Sequence, residues 1–355
     1  MAEAGVFIGV DAHKEVHAAV AVDAQGRELD HWRGANSIEG WLSVLGWAQQ
    51  FGPLRLWGIE GAGSFGRNLA QYLVTAGERV AEINARWTAA ERRHSRQREK
   101  TDRLDARAVA RILLREAERL PWLQPEDHTA LLALLTRERD TAHGEATRVR
   151  NQLHALLLQL DPQYKRQIRS LTSRRGLAAA EHYATPHQSP WALALTSRVH
   201  TLARRLRGLM EDALDLQRQL EALATVYCAP LTQICGVNLL TAGVLAGLLG
   251  PAHRFETDAQ LAAFAGVAPL EASSASQVRH RLNRGGNRRL NSVLYLILVC
   301  QSRFSEQART YIARRLSEGK SKKEAFRALK RHLIRTIWRL WKQCSSSSQP
   351  ASSQA

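Results

Sequence analysis

The chain has 355 residues, enough for two or three domains with substantial cores, so folding requires neither disulfides nor a structural metal. Fifty Lys and Arg stand against 33 Asp and Glu, and the formal charge of +17 points to a polyanionic partner, either nucleic acid or an anionic membrane surface. No apolar run reaches the ~18 residues that would span a bilayer, and the start, MAEAGVFIGVDAHKE, lacks the basic and apolar regions of a signal peptide. Nucleic acid therefore leads, with no membrane partner and a cytoplasmic location. The four cysteines, Cys228, Cys235, Cys300 and Cys344, show no CxxC pairing and no histidines at zinc-finger spacing, which predicts reduced thiols and no structural zinc.

In chain order, FIGVDA (7–12), VHAAVAVD (16–23) and RELDHWR (27–33) read as a meander of three strands broken by HKE and AQG. A helix is predicted over 37–50, a strand over 55–60, a helix over 64–77 ending at Gly77, a strand over 79–85 and an amphipathic helix over 101–116. A meander leading into alternating α and β elements predicts a mixed α/β sheet with helices on its faces, the element order of the ribonuclease H-like (RuvC-like) fold.

From about 127 to 225 the strand signals stop. Val199, Leu202, Leu206, Leu209, Ala213, Leu216, Leu220 and Leu223 form a heptad seam of about three repeats. A companion seam runs through Ala142, Ala146, Val149, Leu153, Leu156 and Leu160, so an antiparallel hairpin or a dimerising coiled coil is expected. Beyond it, LTQICGVNLLTAGVLAGLLG (231–250) has the pattern of a helix-hairpin-helix, with Asn238 in place of the second glycine. The domains predicted are a catalytic α/β domain at 1–123, a helical coiled-coil linker or dimerisation region at 124–228, a mainly helical basic domain at 229–344 and a disordered low-complexity tail at 345–355.

Within KTDRLDA (100–106), Asp102 and Asp105 share one helix face and repel unless a cation sits between them. Alone, such a pair is an N-terminal turn suited to the helix dipole. Two further acids change that reading: Asp11 follows the apolar strand VFIGV and Glu60 ends the apolar strand RLWGI, where a carboxylate is costly unless paired or bound to metal. If those strands are neighbours and the 101–116 helix crosses them, four acids face one point. Such a cluster suits two Mg²⁺ ions about 4 Å apart, an arrangement that activates an attacking oxygen and stabilises a leaving oxygen on phosphate.

The stretch AFAGVAPLEASSASQVRHRLNRGGNRRLNSVLY (263–295) sets serines beside Arg279, Arg281, Arg284, Arg288 and Arg289. Residues 303–342 carry 13 Lys and Arg against 3 Glu, with Trp338 and Trp341 interleaved. These arginines, with Lys330, Arg331 and Arg335, are the predicted nucleic-acid contacts, and the density of charge favours backbone binding over an idle solvated face.

VFIGVDAHK, WGIEGAGSFGRNLA and REKTDRLDARAVARIL resemble the Asp-Glu-Asp-Asp motif blocks of the insertion-sequence 110 family of RuvC-like transposases, also called bridge-RNA-guided recombinases. AGVAP, the serine pair and RHRLNRGGNRRLN resemble the serine transposase domain of that family. The resemblance implies a DNA transposase in which Asp11, Glu60, Asp102 and Asp105 hold Mg²⁺ and Ser274 attacks a DNA phosphodiester to give a phosphoserine intermediate. Ser273 is the reserve nucleophile, and Ala275 stands where the family has glycine. It also implies donor and target DNA, a structured guide RNA, and a homo-oligomer, dimer or tetramer, with an active site shared between protomers. Two other readings stand beside it: a metal-dependent, structure-selective nuclease of the Holliday-junction resolvase type, which needs no serine, and a non-catalytic nucleic-acid-binding protein, which would be expected to have lost one of the acids.

Overall fold

The computed structural model describes residues 5–94, 101–120, 122–271, 280–282 and 285–346. They fall into two compact units, Met1–Glu126 and Asp127–Ala355.

The first unit runs β1 (Val6–Ala12), β2 (Val16–Asp23), β3 (Glu28–Ala35), α1 (Ile38–Gln49), β4 (Arg55–Glu60), α2 (Arg67–Thr75), β5 (Arg79–Ile83), α3 (Ala85–His94) and α4 (Asp102–Glu116). The sheet order is β3-β2-β1-β4-β5, with the meander antiparallel and β1, β4 and β5 parallel. This mixed sheet is consistent with the ribonuclease H-like reading. Its central strand, β1, is buried at every position because α4 covers one face and α1 and α2 the other. By contrast, edge strand β3 is nowhere fully buried and alternates between half-buried and exposed residues.

One glycine sets how close α4 can come. A Cβ on Gly9 would lie 2.2 Å from the Ala106 carbonyl oxygen and 2.2 Å from the Ala110 amide nitrogen, so only a residue without a side chain lets the helix backbone rest on β1 there. The small Ala106 and Ala110 complete that approach, and both are fully buried. At the sheet's other end, Glu78 accepts hydrogen bonds from Arg55 and from Trp57 Nε1 (2.7 Å), which pins the α2–β5 turn to β4.

One boundary and one additional helix depart most from the expected elements. The stretch 61–66 is a turn, with Gly61 at φ +75° and the Gly66 amide donating to the Gly61 carbonyl, so α2 starts three residues later than the pattern suggests. Residues 85–94 form α3, which the sequence reading missed: their mostly polar composition carries only a weak apolar stripe.

The second unit contains α5 (His128–Leu160), α6 (Arg174–Glu181), α7 (Pro190–Tyr227), α8 (Leu239–Leu249), α9 (Asp258–Phe264), β6 (Pro269–Glu271), β7 (His280–Leu282), α10 (Arg288–Phe304), α11 (Glu306–Ser317) and α12 (Lys322–Ser346). The two leucine seams meet within the chain. Leu153 and Leu157 of α5 share a core with Val199 and Leu206 of α7, while Leu132 and Leu135 share one with Leu220 and Ala224, so the helices run antiparallel. The α5 chain starts cleanly because Asp127 caps it by accepting from the Thr129 amide, and Ser189 with Pro190 starts α7 in the same way. The second core continues into α8, α10 and α12, around the buried Trp341.

The expected helix-hairpin-helix has one full arm. Residues 229–233 make a single 3-10 turn, Gly236 sits at φ +89°, and Asn238 caps α8 by accepting from the Thr241 amide at 2.9 Å. A Cβ on Gly236 would lie 2.9 Å from Cys300 Cβ, so this turn faces α10.

Candidate functional site

Asp11 lies near the carboxyl end of β1 and pairs in register with Glu60, the last residue of parallel β4. The alternation of side chains along β1 puts Asp11 on the same face as Gly9, the face that α4 covers. Thr101 caps α4, its hydroxyl accepting from the Leu104 amide, so Asp102 and Asp105 occupy the first turn, where a helix dipole favours carboxylates. Asp11 and Asp105 are 7% and 5% exposed, unusual for acids, whereas Asp102 and Glu60 are half-buried.

His13 joins this group. Its Nε2 lies 3.0 Å from Asp11 Oδ2 and 3.5 Å from Asp102 Oδ1. Ligand atoms of Asp11, His13 and Asp102 all fall within 4.8 Å of one another, close enough for one metal ion. Arg33 Nε, from β3, reaches to 3.8 Å of Asp102 Oδ2. Burial pushes the Asp11 carboxyl above the usual carboxylate range; His13 opposes that, and the negative charges of Asp105 and Glu60 add to it. Glu60 and Asp105 thus both bear on Asp11 electrostatically, and Asp102 joins the group through His13. The sequence reading took His13 as part of a turn and passed over Arg33. A histidine two residues after a strand-end acid was the available signal for the first; for the second there was none, because only the β2–β3 pairing brings Arg33 near.

The serine block is bracketed by structure. Strands β6 and β7 pair antiparallel, Pro269 with Leu282 and Glu271 with His280, on either side of 272–279. Ser273, Ser274, Ala275, Arg279 and Arg284 lie outside the described residues. Arg281 stands on β7 opposite Leu270.

The remaining predicted contacts divide by environment. Arg288 is exposed at the start of α10. Arg289 Nη2 is 2.6 Å from Asp140 Oδ1 on α5. Lys330 donates to Asn291 Oδ1 at 2.7 Å, sits over the Tyr295 ring, and is lowered in pKa by burial. Arg331 and Arg335 both pair with Asp258, at 2.5 and 3.4 Å. Four of these cations are therefore engaged inside the chain, a distinction that charge density along a sequence does not reveal.

Comparison with known proteins adds to the geometry. One family model, described as Transposase, matches residues 8–162, and a second, Transposase IS116/IS110/IS902 family, matches residues 228–313. The chain is 27% identical to the insertion element IS110 uncharacterized 43.6 kDa protein of Streptomyces coelicolor, over 95% of this chain and 94% of that protein. The chain belongs to the IS110 transposase family. Further relatives of this transposase include the pilin gene-inverting protein of Moraxella lacunata, 22% identical over 92% of this chain and 93% of that one. A transposase for insertion sequence element IS1328 of Yersinia enterocolitica is 27% identical over 62% of this chain and 63% of that one. The first model spans all four acids and the second spans the serine block. Among the described residues, no helix of the transposase is long and apolar enough to cross a membrane.

Proposed function

We propose that this transposase cuts and rejoins DNA strands with Asp11, Glu60, Asp102 and Asp105 holding Mg²⁺, two ions in the full site, and with Ser274 as nucleophile. The observation that carries the first half is the gathering of the acids: Asp11 in register with Glu60, the first turn of α4 above them, and an Asp11 carboxyl pushed up first by burial and further by Asp105 and Glu60. A set of carboxylate oxygens fits a hard divalent cation, which supplies Lewis-acid stabilisation of charge on a phosphate. His13 and Arg33 hold and orient Asp11 and Asp102.

The second half rests on the match across the serine block. Ser274 Oγ forms a bond to phosphorus, the bond from phosphorus to a deoxyribose oxygen breaks, and the serine proton ends on the released hydroxyl. A second transfer reverses this onto a new strand. In this reading residues 124–228 link the acidic domain, 1–123, to the serine domain, 229–344. The working form is a homo-oligomer, dimer or tetramer, and a structured RNA selects donor and target DNA.

The test is to incubate the protein, Mg²⁺, its co-purifying RNA and DNA carrying the element's ends, then run a denaturing gel. A band carrying both protein and DNA is expected, because a phosphoserine ester survives detergent and heat. Ser274→Ala should remove the band and recombination while leaving DNA binding intact; loss in Ser273→Ala instead would move the nucleophile by one residue. Cleavage without a covalent band in both variants and in their double mutant would replace serine attack by water attack, as in a resolvase.

A further inference from the structure

Helices α11 and α12 face each other across an open cavity of about 760 Å³, within the ~300–1,000 Å³ range of small-ligand pockets. One wall is Tyr311, Arg314 and Arg315, spaced as one face of α11; the other is His332, Thr336 and Arg339, spaced as one face of α12. Among the described residues no carboxylate lines it, although Glu318 pairs with Arg315 at 2.7 Å and Arg314 at 3.7 Å just outside. The Tyr311 ring carries the Arg314 and Arg315 guanidinium carbons at 5.2 and 5.7 Å from its centroid and meets the His332 ring edge-on at 5.2 Å. Leu329, Leu333 and Leu340 give the floor an apolar character.

Planar cations layered on an aromatic ring, above an apolar floor and beside Arg339, which has no acidic partner among the described residues, match the chemistry of an unstacked nucleotide: a flat apolar base with a phosphate attached. A duplex hides its base faces and cannot use the floor. We propose that this cavity binds one unpaired nucleotide of a single strand, the base stacking within the Tyr311–arginine layer and a flanking phosphate meeting Arg339. The proposal uses neither the acid cluster nor Ser274, so it stands or falls apart from them.

The full-length protein is titrated with fluorescent oligo-dT, oligo-rU and a fully paired duplex of the same length. Tyr311→Leu should weaken single-strand binding about tenfold, Tyr311→Phe less than twofold, and neither should change duplex binding. Arg339→Gln should reduce the salt slope for single strands by about one. With wild-type protein, an oligonucleotide carrying 5-iodouracil should photo-cross-link to the peptide containing Tyr311. The tighter of the DNA and RNA arms identifies the strand, and either supports the site. Equal losses for duplex and single strand in Tyr311→Leu, displacement by polyglutamate as readily as by oligonucleotide, or cross-links confined to other peptides would overturn it.

Discussion

Gly9 and Asp11 lie two residues apart on one face of β1 and do opposite things: the first lets α4 in, and the second meets the acids that α4 brings. Gly9→Ala would force a methyl group into the α4 backbone, which has no side chain to swing away, so a loss near the upper end of the ~1–3 kcal/mol typical of overpacking is expected. A fall in melting temperature together with loss of strand cleavage would show both effects at once; an unchanged melting temperature would mean that the helix sits farther off. Asp11→Asn tests the charge side. It removes one of the crowded carboxylates, so the metal-free protein should melt higher than wild type, and the rise in melting temperature expected when Mg²⁺ is added should be smaller in the variant than in the wild type. Buried thiols give a pH dependence of their own. Burial pushes Cys228 up to about 12 and Cys344 up to about 11, from an ordinary 9.0, so the folded state keeps protons that the unfolded chain releases. Their contribution is complete below pH 9 and is lost as pH climbs toward 11–12. A Cys228→Ala, Cys344→Ala double variant should start less stable, yet lose less stability than wild type over that window in chemical denaturation.

At the level of elements, the α5–α7 pair is held by many buried apolar side chains spread along two cores. Leu153 is fully buried between the two helices, and Leu153→Ala should cost about 3 kcal/mol by urea unfolding. Exposed Leu158, five residues on and on the other side of the helix, should tolerate the same change with little loss. This also shows how far the sequence could be read. Periodicity reports which face of a helix is apolar, so both seams were visible; it does not say what covers that face, and the choice between hairpin and intermolecular coil needed the contacts themselves. β1, β2 and β4 were legible because burial demands apolar residues nearly throughout, and the acids stood out against that background. Short α6 and the three-residue strands β6 and β7 carry too few residues for a pattern to emerge. Arg33 and Lys330 owe their roles to partners 69 and 39 positions away along the chain, which no local window contains.

Across the whole molecule, a charge of +17 overstates what is free to meet nucleic acid, because part of it is spent within the fold. Arg331→Ala should lower the melting temperature by freeing Asp258 from its closest partner, while the salt dependence of DNA binding stays near that of wild type. Arg288→Ala should do the reverse: no change in stability, and a salt slope reduced by about one if that exposed side chain meets a phosphate. A titration series over several salt concentrations separates the two. The close seat of α4 on β1 bears on heat as well. Side chains in a core hop between rotamers well before a domain melts, and a site spaced by long side chains would drift with them. Here the spacing between the strand acids and the helix acids is fixed by main chain resting on main chain at Gly9, which has no rotamers to sample. Warming should therefore leave divalent-cation binding at the acids intact until the first unit unfolds as a whole, with the loss of binding lying on that unit's melting curve and no milder loss preceding it.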